Sequence, residues 1–216
     1  HVGTTGIVRN IAHRQDHTDR LSDLHYTMRR LVDSDTIHEA VSKSLESAED
    51  LFDIELAVFF APDSKSDVSS LVPTVQTDQS REIIGPAPAM KSDSLVWDVY
   101  HSGETRYAPD LWEEEQIHNE DTILRSELLI PIGDFGVLGF ASTNPNYLTE
   151  ADLELANVLE SNLTEVLLSI QSQRRIEKRE QQLKRENERL DEFAAIISHD
   201  LRNPLNVAKG RLDLAI

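Results

Sequence analysis

Residues 149–203 contain neither glycine nor proline, so this stretch reads as one continuous helix. Past Gln171 the helix turns polar except at Ile176, Leu183, Leu190 and Ile197, each seven residues from the last. Sevens of this kind mark the d positions of a coiled coil, which places Glu180, Asn187 and Ala194 at a. A single asparagine at a fixes register and strand number at some cost in stability. The imperfect a positions make the coil weak by itself, which suits a linker that switches between nearby packings. A parallel homodimer is the favoured state.

The same helix runs into Phe193–Ala208, FAAIISHDLRNPLNVA. With Ile197 at d, His199 falls at f, facing away from the seam and open to a partner. Neutral imidazole is a competent nucleophile near pH 7, because its unperturbed pKa is about 6.5. Asp200 is the adjacent acid that could hold the second ring proton, and Asn203, four residues on, shares the helical face. Arg202 adds a cation three residues on, and Pro204 should bend or loosen the helix beside the histidine.

The run Ser198-His199-Asp200-Leu201-Arg202-Asn203-Pro204-Leu205 closely resembles the phosphoacceptor box of two-component sensor histidine kinases. The resemblance implies that His199 accepts the γ-phosphoryl group of ATP and passes it to an aspartate of a response regulator. It gives Asp200 and Asn203 supporting catalytic roles, Asn203 in orienting water for dephosphorylation. ATP, with Mg, would be bound by a separate domain, for this chain has no Gly-rich phosphate loop.

Charge narrows the remaining choices. Residues 21–170 hold 29 carboxylates against 8 bases, whereas the rest of the chain holds 10 against 13. An acidic body of this kind repels phosphate, so nucleic-acid binding is disfavoured. Arginine outnumbers lysine 15 to 6, which with abundant aspartate is similar to the proteome bias of salt-loving archaea. Such a surface is tolerated in concentrated salt, where the Debye length drops to about 3 Å at 1 M. No apolar run approaches the ~18 residues of a membrane span, so the expected setting is the cytoplasm. The chain begins with His rather than Met and shows no leader, and it reads as a piece of a longer protein. With no cysteine there is no disulfide framework and no thiol-ligated metal, and no metal site is expected.

The 150 residues before the seam alternate between element types. Leu21, Leu24, Met28, Leu31 and Val32 recur at helical spacing, and Asp35 can cap a second helix striped by Ile37, Ala40, Val41, Leu45, Ala48 and Leu51. Ile54–Ala61 is a dense apolar run suited to a central strand, with Leu71–Val75 as its hairpin partner across Asp63–Ser70. Gly85, Pro86 and Pro88 mark an irregular middle, followed by a short helix over Leu95–His101 that Gly103 closes. Leu128–Ile132 and Phe135–Ala141 form two strands around Gly133-Asp134, and a last helix starts near Thr149-Glu150.

This order, together with the pair LLIPIGDFGVLGFAST, resembles a GAF domain over roughly residues 20–170. The resemblance implies an α+β fold: an antiparallel sheet with helices on one face and a small-molecule pocket under the irregular segment on the other. Residues 1–14, HVGTTGIVRNIAHR, are similar to the last strand of a PAS domain, with Asn10 and Ala12 departing from the pattern. The expected organisation is a PAS end over 1–14, a linker or first GAF helix over 15–34, a GAF-like sensor over 35–170, a coiled coil over 171–192 and the phosphoacceptor helix over 193–216. That last segment would be the first helix of a dimeric kinase bundle.

The sequence does not name the sensor's ligand. Covalent bilin attachment is excluded without cysteine, and no Asn-Lys-Phe-Asp-Glu motif of cyclic-nucleotide GAF domains is present. His101 with Trp97 and Tyr100 could line a pocket, a haem role for His101 or His118 is conceivable, and packing or surface roles are favoured for all four. Glu113-Glu114-Glu115 reads as solvated acid. Two rivals stand beside the kinase: a non-catalytic ligand-binding dimer whose box has decayed, and a phosphodiesterase or transcription-factor GAF module.

Overall fold

The computed structural model describes residues 31–63, 70–113 and 122–213, with residues 50, 51, 195, 196 and 198–213 described in backbone only. Residues 1–14 and 15–30, His118, Glu114 and Glu115 lie outside the described residues. The chain divides into two compact units between Ile170 and Gln171.

The first unit is built on a six-stranded antiparallel sheet: β1 (Leu56–Pro62), β2 (Ser70–Gln76), β3 (Met90–Lys91), β4 (Arg106–Ala108), β5 (Ser126–Ile132) and β6 (Gly136–Ser142). The spatial order is β3-β2-β1-β6-β5-β4, so the two most apolar runs, β1 and β6, sit at the centre and pair with each other. Both faces of these strands are covered, which explains why they read as continuous apolar runs rather than as alternation.

On one face, helix α1 (Ile37–Phe52) and the first turns of the long helix pack over Ala57, Phe59, Leu128, Ile130, Leu138 and Phe140. Phe52 meets Phe140 with ring centroids 5.2 Å apart at 42°, a tilted pair that fills the layer between helix and sheet. Each such fully buried side chain contributes about 1.5–3 kcal/mol through removal from water. On the opposite face Val58, Phe60, Leu71, Leu129 and Val137 pack under helix α3 (Leu95–Ser102). A short helix, α2 (Asp78–Ile84), lies between β2 and β3 in the chain.

Helix ends follow local hydrogen-bond chemistry. Thr36, not Asp35, caps α1: its hydroxyl accepts from the Glu39 amide at 3.1 Å, while the Glu39 carboxylate accepts from the Asp35 amide at 3.2 Å. Thr36 holds the cap because its hydroxyl reaches the Glu39 amide three residues on, while the Glu39 carboxylate satisfies the Asp35 amide just before the helix. Ser94 caps α3 and Gly103, at φ 68°, ends it in the left-handed conformation. The longest helix, α4 (Glu150–Asp213), opens with Thr149 donating from both amide and hydroxyl to the Asp152 carboxylate.

Several expectations are corrected. The middle of the chain is not wholly irregular, since α2, β3 and β4 fall within it. Phe135 belongs to a 3₁₀ turn, Gly133–Phe135, and β6 begins only at Gly136, because the positive φ at both glycines builds the reversal there. Val32 is exposed despite its place in the helical stripe, whereas Leu31 is buried. Apart from these corrections, helix α4 is continuous in backbone through Pro204, and the expected local loosening there stands as an expectation.

The second unit is the remainder of α4. Ile176, Leu183, Leu190 and Ile197 are 41% to 65% exposed, far from the burial of core leucines, and the a residues Glu180, Asn187 and Ala194 are exposed with them. No helix among the described residues is long and apolar enough to cross a membrane.

Candidate functional site

A cavity of about 410 Å³ opens on the α3 side of the sheet. Its floor is made by strand residues whose side chains point away from α1 and α4: Leu56, Val58 and Phe60 on β1, Glu127 and Leu129 on β5, Gly139 and Ala141 on β6. Its walls come from Ile83 and Ile84 at the end of α2, Ala87, Pro88 and Met90 leading into β3, Val96 on α3, and Thr122, Ile123 and Leu124 before β5.

The space exists because β6 is short of side chain here. A Cβ on Gly139 would sit 3.3 Å from a Leu129 methyl, and Ala141 contributes one methyl, so the sheet recedes beneath the cavity. The roof is held by side-chain chemistry rather than by a ladder. Gln76 donates to the Gly85 carbonyl at 2.9 Å and accepts from the Ala87 amide at 3.0 Å, fixing the end of α2 over the sheet.

Glu127 is the ionisable group in this lining. Burial pushes its carboxyl up to about 7, only partly opposed by the charge of Arg106 on β4. Near neutral pH the group therefore divides between its neutral and charged forms. Such a group, set in an apolar cleft with few other polar atoms, is the arrangement expected of a small-molecule site.

Glu127 was not anticipated. The strand was expected to start at Leu128, which left the acid outside it, and the available sign was an acidic residue at the edge of the apolar run SELLIPI. The aromatic residues that were singled out lie elsewhere. Trp97 stacks on His101 with centroids 4.6 Å apart, Tyr100 meets Trp97 tilted and His101 edge-on, and none of the three lines the cavity. His199, Asp200 and Asn203 fall on the α4 backbone in the second unit, and their side chains lie outside the described residues. Among the described residues no cluster of three His, Cys, Asp or Glu could hold a metal ion.

The GAF-domain family model matches residues 34–167, more than half of the chain. The chain belongs to the GAF domain family. Its fold is similar to the GAF domain of an Acinetobacter phosphoenolpyruvate-protein phosphotransferase, at TM-score 0.59 and 17% identity over 70% of this chain and 94% of that one. It is also similar to a free methionine-R-sulfoxide reductase from Neisseria meningitidis, at TM-score 0.60 and 16% identity, covering 71% and 90%. A methyl-accepting chemotaxis protein, residues 122–287, matches at TM-score 0.52 and 12% identity, covering 67% and 96%. At these identities the likeness is one of fold. No curated protein sequence matches the chain significantly.

Proposed function

We propose that this chain is the sensing and phosphoacceptor part of a histidine kinase. A ligand held in the GAF pocket biases the packing of a parallel α4 dimer, and that packing governs phosphorylation of His199. The observation that carries the reading is the run Ser198–Leu205 standing in heptad frame on the same uninterrupted helix that begins against the GAF sheet.

In the proposed reaction an imidazole nitrogen of His199 attacks the γ-phosphorus of ATP and the bond to the ADP oxygen breaks. Asp200 accepts a hydrogen bond from the other ring nitrogen and stabilises the imidazolium. Positioning and charge stabilisation supply nearly all of the catalysis in such a transfer. ATP with Mg would be presented by a separate domain, and a response-regulator aspartate would be the next acceptor. Asn203, on the same helical face as His199, orients water for hydrolysis of the phosphoryl group on the response-regulator aspartate. The exposed d residues support the homodimer, because apolar side chains repeated every seven residues gain burial from a second copy. On the same reading, residues 1–14 end a PAS domain, and the acid excess of residues 21–170 fits a salt-rich cytoplasm.

The test is incubation of this chain with an intact histidine-kinase ATP-binding domain and labelled ATP. Acid-labile phosphate is expected on the wild type and none on His199→Gln. Label persisting in His199→Gln overturns the assignment of this residue. No label on either, with a ligand-responsive dimer retained, favours the rival reading of a regulatory GAF module without phosphotransfer.

A further inference from the structure

The chemistry of the pocket narrows what it can hold. Glu127 projects from β5 with Ala108 opposite it on β4 and Ala141 opposite it on β6. Both cross-strand neighbours are therefore methyl groups, which offer the carboxylate no donor. Arg106 lies diagonally across β4, paired with Leu129, and it is the charged group among the described residues that acts on Glu127. Its charge does not offset the burial, since the carboxyl remains shifted far above its ordinary range.

The remaining lining side chains, apart from Thr122, are apolar: Val58, Phe60, Ile84, Met90 and Leu129 enclose the cleft. A carboxylate there gains most from a positive group arriving from the cavity, because a charge-assisted hydrogen bond replaces the water that burial removed. The body of the domain works in the same direction. With 29 carboxylates against 8 bases over residues 21–170, its field concentrates cations and repels anions.

We propose that the pocket takes a small organic cation, its apolar body lying in the cleft over Gly139 and Ala141 and its protonated amine or amidine set against Glu127. This rests on the reading of the cavity as the sensor's ligand site, and it is independent of phosphotransfer at His199. A volume of about 410 Å³ lies at the lower end of the range for small-molecule pockets. Binding is then proton-competitive: acid neutralises Glu127 and removes the partner of the cation.

The test uses the full 216-residue chain and three probes with one tail and different heads: octylammonium, 1-octanol and octanoate. Titration calorimetry at pH 8 is expected to show octylammonium bound at least about tenfold more tightly than octanol, with octanoate weakest. Lowering the pH to 6 cuts the charged fraction of a carboxyl titrating at about 7 from roughly nine-tenths to roughly one-tenth. Octylammonium affinity should therefore fall about tenfold while octanol is unchanged. Glu127→Gln should abolish the preference for the ammonium head and keep the octanol affinity. Glu127→Asp, which withdraws the carboxylate by one carbon, should weaken octylammonium selectively and serves if the glutamine variant fails to fold. Octanol or octanoate binding as tightly as octylammonium overturns the cation assignment and leaves the pocket as a ligand site. Retention of the ammonium preference in Glu127→Gln also overturns it. Failure of all three probes to bind overturns the site itself, and the proposal with it.

Discussion

Arg125 forks onto Asp110, with Nε donating to Oδ1 at 2.9 Å and Nη2 donating to Oδ2. The same guanidinium lies 4.1 Å from the centroid of the Trp112 ring, and the Leu111 amide donates to the Arg125 carbonyl at 2.6 Å. Asp110 accepts in addition from the Trp112 amide at 3.1 Å. Together these bonds tie residues 110–112 to Arg125, next to Ile123 and Leu124 in the pocket wall.

Two substitutions test this clamp. Arg125→Lys keeps the charge but loses the planar fork and the stacking, so it should lower the melting temperature and weaken probe binding in the pocket. Hydrogen bonds from Arg125 hold the Asp110 carboxyl below its ordinary range, so the folded state favours the carboxylate. The associated stability is present above the usual carboxylate range and is lost as pH falls through the lowered value. Thermal melts between pH 6 and pH 2 should show this acid loss in the wild type and a smaller one in Asp110→Asn. Equal acid slopes in both would contradict the clamp.

Glu127 carries the opposite sign. Its folded pKa of about 7 exceeds the ordinary 4.5, so the native state binds more protons than the unfolded chain between those values. Stability therefore declines as pH rises from about 4.5 to about 7, by an amount on the order of 3 kcal/mol. Glu127→Gln should melt several degrees above the wild type at pH 8, with the gap closing by pH 5. A constant gap across that window would show that the carboxyl is not desolvated.

Gly136 sits at φ 146°, a conformation open essentially to glycine, and a Cβ built there would overlap the Phe60 carbonyl oxygen. Main chain cannot step aside as a flexible side chain can. Gly136→Ala should therefore cost several kcal/mol in urea unfolding, above the ~1–3 kcal/mol of backbone strain alone. Gly103→Ala is the control, with φ 68° and open space around the new methyl, and its expected cost is about 1–2 kcal/mol. Equal costs would contradict the close approach of Gly136 to the Phe60 carbonyl.

The seam on α4 is tested by charge. Leu183→Asp combined with Leu190→Asp should leave the GAF fold intact by circular dichroism and shift sedimentation equilibrium to monomer. Asn187→Ile, which replaces a polar a residue by a β-branched one, should tighten association or change its order and alter signalling bias. A wild-type chain that sediments as a monomer at tens of micromolar would remove the dimer from the proposed mechanism.

Much of the architecture was legible from local pattern. Ile54–Ala61 announced a central strand because both its faces are buried, and Gly103 and Thr149 announced helix ends through capping chemistry. What escaped lacked periodicity. Helix α2 has seven residues and buries only Ser80, so it shows no apolar stripe. Strands β3 and β4 have two and three residues, and they are strands only because β2 and β5 lie beside them.

The sequence by itself determined the strongly periodic elements and the long helix, including the heptad frame that places His199, Asp200 and Asn203 on its backbone. These depend on spacing within one segment. The residues that line the pocket were decided by the tertiary structure alone. Ile84, Glu127, Gly139 and Ala141 meet because β2 and β5 flank the central pair β1 and β6, and no local spacing encodes that order. The proton affinity of Glu127 has the same origin: it comes from two alanines on neighbouring strands and the removal of water, which exist only once the sheet has closed around it.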